Sequence, residues 1–207
     1  NLVVAPGFID LHEHGQQEES YALMVCDGVT SAFELEVGAG DVAAWYSARD
    51  GGQIVNYGVS VGHIPARMRV LGDPGTFLPA GVGGSGTTTE AQVAEMERML
   101  GQGLTDGAVA VGFGSAYTPG ATMAEIERLF RVAADAGAVV VRARSGAERW
   151  ADVPDAVRGR LACQVVHGRQ AGRLRRRLRQ RGGSLQSSWS WALRVSAHDA
   201  TRLYPPQ

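Results

Sequence analysis

Val4-Ala5-Pro6-Gly7-Phe8-Ile9-Asp10-Leu11-His12-Glu13-His14 is an apolar run that ends in two histidines two residues apart. Residues 2–11 read as a first strand, interrupted by Pro6-Gly7. Side chains alternate along a strand, so His12 and His14 point the same way. Two imidazoles on one face can grip one metal ion from one side. A lone His12 would more often be structural. The pair, beside Asp10 and at the end of a strand, reads as a metal site, because parallel α/β folds place their chemistry at strand ends.

Outward from this motif, apolar runs alternate with helical patterns. Helices are expected over residues 19–26 and 42–49. Strands are expected over 28–37 and 54–61, and a Gly/Pro-rich loop over 72–86. Thr87 and Glu90 have capping-box spacing and open a helix to about residue 100. Residues 108–113 form a fourth strand. Thr122 and Glu125 repeat the capping spacing and open a helix to about 136. Residues 138–141 and 163–166 supply a fifth and a sixth strand. Continuously apolar strands are buried on both faces, which implies a parallel sheet, either doubly wound or a (β/α)8 barrel. No GxGxxG follows the first strand, which counts against a dinucleotide fold. The loop Gly81-Val82-Gly83-Gly84-Ser85-Gly86 lacks the Lys-Ser/Thr of a phosphate loop and reads as a flexible connection.

The 207 residues are 44% hydrophobic and 20% charged, too apolar for a disordered chain, and no run of about 18 apolar residues could span a membrane. The net charge of −1 argues against nucleic acid as a partner but hides an uneven distribution. Residues 1–155 carry 9 basic and 20 acidic side chains, a net of −11. Residues 156–207 carry 11 basic and 1 acidic, a net of +10. All 20 basic residues are Arg. Cys26 and Cys163 lie far apart in apolar surroundings, which fits a reducing cytoplasm. The absence of an initiator Met reads as a fragment of a longer protein.

The opening motif resembles the Pro-Gly-Phe-Ile-Asp-x-His-x-His signature of the amidohydrolase superfamily, in the branch that contains D-aminoacylases. Asp27-Gly28-Val29-Thr30-Ser31 is similar to the branch's start of strand 2. Val61-Gly62-His63 with Arg67 resembles its Gly-His-x-x-x-Arg segment. Gly107 to Gly114, continuing through Tyr117-Thr118-Pro119-Gly120 and Glu125, resembles its Gly-Ala-x-Gly segment. The resemblance covers residues 1–167 and implies an α/β fold, an incomplete (β/α)8 TIM-type barrel of about six strands. Residues 168–207 form an Arg-rich tail without it.

A divalent ion in such a barrel polarises an amide carbonyl and lowers the pKa of water, and zinc suits a mixed His and carboxylate shell. The resemblance implies one or two divalent ions, with His12, His14 and His167 as ligands. Glu34 and Glu36 share one face of strand 2, and acids in so apolar a strand are costly unless paired or metal-bound. Either is a candidate ligand, where the branch has a Cys, with a buried ion pair as the alternative. His63, Arg67, Tyr117 and Arg144 are candidate substrate contacts. Structural roles compete for the first three, a surface position being the plainer reading of Arg67.

Two departures stand against activity of this chain. Arg142 occupies the place of a ligand His on strand 5 and cannot bind a cation. The branch's catalytic Asp on strand 8 has no counterpart. The implied activity is hydrolysis of non-peptide C–N amide bonds in a small molecule, an N-acyl-D-amino acid, impaired or absent in this fragment. A cyclic-amide hydrolase of the dihydroorotase or hydantoinase type is an alternative, disfavoured by the lack of any Lys for a metal bridge. The tail from Arg169 to Arg181 has three readings: a basic helix for nucleic acid or a membrane surface, a solvated helix face, or an out-of-frame translation. The last is favoured by the Ser-Trp-rich stretch that follows and by the absence of acids from 156 to 198.

Overall fold

The computed structural model describes residues 3–144 and 163–166. Six strands form one sheet: β1 (Phe8–Asp10), β2 (Val29–Ala39), β3 (Asn56–Gly62), β4 (Ala110–Gly114), β5 (Val139–Arg144) and β6 (Cys163–Val166). All neighbours pair in parallel, and their order in space is their order in the chain. A doubly wound sheet reverses direction partway through; this one does not, so it follows the winding of a (β/α)8 barrel, left incomplete.

The connections are α1 (Glu18–Cys26), α2 (Val42–Ser47), α3 (His63–Leu71), the single turn α4 (Val82–Ser85), α5 (Glu90–Thr105) and α6 (Met123–Asp135). Strand alternation explains why the sheet is apolar throughout. Val59 and Val61 of β3, Val111 and Phe113 of β4 and Val140 of β5 share a core with Met96 and Leu100 of α5 and Leu129 and Phe130 of α6. The intervening Ala110, Val139 and Val141 pack with Phe33 and Leu35 of β2 and with Leu11. No helix among the described residues is long and apolar enough to cross a membrane.

Several boundaries differ from the sequence reading. β1 is only three residues long, since Pro6 has no N–H to give to a ladder. α3 fills a stretch without an expected helix. Pro65 sits in its first turn, where a missing N–H costs little, and Gly72 closes it at φ 69°, a left-handed C-cap. The capping box of α5 is Thr89 with Gln92, not Thr87 with Glu90. Thr122 does cap α6, but its partner Glu125 turns inward. Cys26 is an exposed free thiol at the end of α1 rather than part of an apolar cluster.

The loop after α3 is not a flexible connection. The Asp73 carboxylate accepts hydrogen bonds from the backbone N–H of Gly75 (2.9 Å), Ala80 (2.9 Å) and Gly83 (2.8 Å). Those bonds also hold the Asp73 carboxyl below its ordinary range, that of Ala80 contributing most. Arg67 binds the carbonyls of Gly83 and Gly86, and the carbonyl of Gly84 accepts from Gly120 N–H, 2.9 Å away.

Candidate metal centre

The site lies at the C-terminal ends of β1 and β2. Past β1, Asp10 accepts the backbone N–H of His12 at 2.9 Å, and Glu13 N–H reaches the Phe33 carbonyl at 3.0 Å. These bonds carry the two histidines alongside β2. There the register breaks: Glu34 pairs with Val59, and the next pair is Ala39 with Val61. Five steps along β2 face two along β3, so this bulge suspends the alternation that would put Glu34 and Glu36 on one face. Glycine at 112 and 114 makes room for it. A Cβ on Gly112 would run into Leu35 O and Ser60 Oγ, and one on Gly114 would lie 2.7 Å from Ile64 Cδ1 and 3.3 Å from Glu36 Oε1.

The two acids take different places. Glu36 Oε2 lies 3.0 Å from His12 Nε2 and 3.3 Å from His14 Nε2, and the two Nε2 atoms are 2.9 Å apart. Three ligand-type atoms thus form a triangle with edges near 3 Å. Glu34 stands behind His14. Its Oε2 is 2.5 Å from His14 Nδ1, while its Oε1 accepts the N–H groups of Val37 (3.0 Å) and Gly38 (3.3 Å) inside the bulge. Both carboxylates are buried, and the His14 side chain is 35% exposed.

The charge balance is one-sided. Two acids meet two imidazoles, with no Arg ion-paired to either acid among the described residues. Without an ion, His14 supplies the positive charge: the hydrogen bond to Glu34, then that to Glu36, raises its pKa to about 10. Burial pushes the Glu36 carboxyl up, but hydrogen bonds from His12 and His14 outweigh it and bring it to about 2. The donor set suits a divalent cation. Ligands 2.0–2.2 Å from zinc in a tetrahedral shell stand about 3.3 Å apart, so the triangle needs only a slight opening. A carboxylate behind a ligating His fixes its tautomer, the arrangement Glu34 makes with His14.

The remaining candidates separate into three groups. Tyr117, in a 3-10 turn (Ser115–Tyr117) after β4, is partly exposed beside Gly114. Its hydroxyl pKa is raised by burial and by the nearby Glu36 charge, so it flanks the triangle. His63 and Arg67 do not face an opening. Both are fully buried around Glu125, as is Glu125 itself. Arg67 Nη1 reaches both Glu125 oxygens (2.8 and 2.6 Å), its Nε donates to Gly83 O (2.9 Å), and its Nη2 donates to Gly86 O. The surface position read for Arg67 is therefore corrected. A buried guanidinium needs its counter-ion, and with four of its five N–H groups engaged inside the fold and no exposed surface, it presents none to a substrate carboxylate. His63 Nε2 is 2.7 Å from Glu125 Oε1, and its ring stacks on Phe113. Arg142 and Arg144 pair through the β5 backbone with Gln164 and Val166 of β6. Their side chains, His167 and the Arg-rich tail lie outside the described residues.

Two roles escaped the sequence reading, which took Glu125 as a helix-capping residue and gave Phe77 none. Glu125 lies one turn before Leu129 on the buried face of α6, and an acid in that stripe signals a buried cation. Phe77 projects from a Gly/Pro loop against His14; an aromatic outside any periodic pattern gives no sequence signal.

No protein-family model matches the chain, and no curated protein sequence matches it. Solved structures do. A D-aminoacylase mutant in complex with copper chloride matches with a TM-score of 0.61 at 18% identity, over 84% of this chain and 44% of that one. A D-aminoacylase described as defining a novel subset of amidohydrolases gives 0.59 at 18% identity over the same shares. A third structure, of the D-aminoacylase whose binuclear metal centre shows one-metal activation and second-metal attenuation, gives 0.58 at 19%. The chain thus spans less than half the length of these proteins. Over that span it folds as an incomplete (β/α)8 barrel of the kind D-aminoacylase, an amidohydrolase, carries.

Proposed function

We propose that this chain is the metal-holding part of a metal-dependent amidohydrolase that cleaves non-peptide C–N amide bonds, with an N-acyl-D-amino acid as the substrate class. The observation that carries the reading is the triangle of His12 Nε2, His14 Nε2 and Glu36 Oε2, with Glu34 behind His14. The shared fold with D-aminoacylase supports it. A divalent ion, zinc by its fit to this donor set, supplies Lewis acidity toward an amide carbonyl and makes water a nucleophile near neutral pH.

The chain's own residues have separable tasks. His12, His14 and Glu36 would hold the ion. Glu34 accepts the Nδ1 proton of His14 and so keeps Nε2 free to bind. The Asp10 bond to the His12 backbone fixes where that side chain starts. Tyr117 can orient a substrate amide from the β4 side through its hydroxyl.

The test is zinc content after equilibrium dialysis, paired with hydrolysis of N-acetyl-D-amino acids by the full chain. About one zinc per chain, lost in His12→Ala, is the expected result. A chain that binds no zinc would refute the metal reading. Zinc binding with no turnover leaves the metal site and refutes deacylation by this chain alone.

A further inference from the structure

We propose that Phe77 is a specificity-determining residue: it walls the metal triangle with an apolar surface and selects amide substrates that carry an apolar group beside the scissile bond. This rests on the metal reading above and adds the substrate class.

Phe77 and His14 meet edge to face, with ring centroids 5.5 Å apart. His14 is the more open of the two histidines, so this contact lies at the rim where a substrate must arrive. Phe77 is 45% exposed, whereas its neighbour Leu78 packs against Val37, Ile64 and Met68. The loop therefore buries one apolar side chain and leaves the next beside the triangle. Nor does Phe77 sit on a loose segment. The Asp73 carboxylate ties the backbone on both sides of it, at Gly75 and at Ala80. A fixed, half-exposed aromatic ring gains when a ligand covers it. With the two rings at a steep angle and Phe77 still half-exposed, ring surface is left for an apolar substrate group, while the polar amide faces the triangle. Tyr117 lies beside Gly114, as does Glu36 Oε1, and adds an aromatic phenol near the same carboxylate.

The apolar group could belong to the acyl half or to the amino-acid half, and two ligand series distinguish them. The zinc-loaded full chain is titrated with acetohydroxamic and benzohydroxamic acids for the acyl side. It is then titrated with N-acetylglycine and N-acetyl-D-phenylalanine for the amino-acid side. In one series the apolar member should bind about tenfold more tightly, the effect of removing roughly 55 Å2 of apolar surface from water. Phe77→Ala, compared at equal zinc content, should abolish that ratio. Phe77→Leu should retain part of the ratio. Equal binding within both series, or a ratio that survives Phe77→Ala in a zinc-loaded chain, would overturn the proposal alone. A chain that takes up no zinc would overturn both it and the metal reading.

Discussion

Two clusters of histidine and glutamate lie in this half-barrel, and they balance charge differently. Around Glu125, one carboxylate meets one guanidinium: Arg67 binds both oxygens, Thr88 donates to one of them at 2.7 Å, and His63 completes the shell. Burial lowers the His63 pKa and so favours the neutral ring, despite the carboxylate beside it. At the rim, Glu34 and Glu36 face the two imidazoles, with no Arg paired to either acid among the described side chains, and a proton on His14 offsets one of the two negative charges. The first cluster pairs its carboxylate with a guanidinium from the same chain. The second gathers ligand atoms of His12, His14 and Glu36 within 4.8 Å of one another, a donor set that suits a cation. The same residue types therefore give a structural clasp in one place and a binding site in the other, and Arg67 is the difference.

If this contrast holds, the largest effect should come from breaking the clasp. Glu125→Gln strands a buried guanidinium, which costs about 3–5 kcal/mol. In a domain of this size, that is a fall of roughly 10 °C in thermal unfolding, and zinc should stabilise the variant and the parent equally, so the difference between them remains. The clasp should also give an acid limb. Burial pushes the Glu125 carboxyl up, but hydrogen bonds from His63, Arg67 and Thr88 bring it to about 2. A depressed carboxylate stabilises the fold above its unfolded value of 4.5, and that contribution is lost as pH falls toward 2. The depressed His63 acts with the same sign, its contribution fading below its ordinary 6.5. Denaturant midpoints measured from pH 7 downward should fall in two stages. The lower stage should shrink in Glu125→Gln and, because the Glu36 carboxyl is also held at about 2, shrink but not vanish in a Glu34→Gln/Glu36→Gln double variant. Loss of that stage in the rim variant would break the comparison.

Next in size is the rim's response to metal. Zinc at about 100 times its Kd should stabilise the chain by about 2.7 kcal/mol. Glu36→Gln should remove that gain. Without metal it should lose less than Glu125→Gln, because Glu34 still pairs with His14 and no buried guanidinium is stranded. A Glu36→Gln chain that melts as early as Glu125→Gln would make the rim a second clasp.

Much of this was legible in the sequence, for a physical reason. Strands buried on both faces must be apolar at every position, so Val59, Val61, Val111 and Val140 announce themselves, and sequential right-handed β-α connections then leave few windings. The His12-x-His14 spacing is equally direct, since alternation acts on neighbouring residues. What stayed hidden depends on breaks in regularity. Strand alternation gives Glu34 and Glu36 one shared face, and the bulge against β3, which separates their tasks, leaves no mark in residue type. Thr87, Thr88 and Thr89 offer three similar caps, and tertiary structure decides among them: Thr88 serves Glu125 and Thr89 caps α5. Arg67 read as a surface residue because its counter-ion lies 58 residues away.

The smallest of these effects tests the division of labour within the rim. Glu34 satisfies two demands at once, accepting backbone N–H groups of the bulge with Oε1 and the His14 ring with Oε2. A glutamine has one acceptor oxygen and must abandon one of them. If that oxygen stays with Val37 and Gly38, its NH2 faces the His14 Nδ1–H and turns the ring or its tautomer away from the triangle. If it flips, the bulge loses its acceptor and Glu36 is no longer held in place. Either way, Glu34→Gln should weaken zinc binding about 10–100-fold, as loss of such a supporting carboxylate does, while the stoichiometry at saturation stays at one. Competitive titration against a zinc chelator reads both quantities. Glu36→Gln, by contrast, should lose the stoichiometric site. Equal losses in the two variants would mean that both carboxylates touch the ion, and the bulge would then merely bend β2.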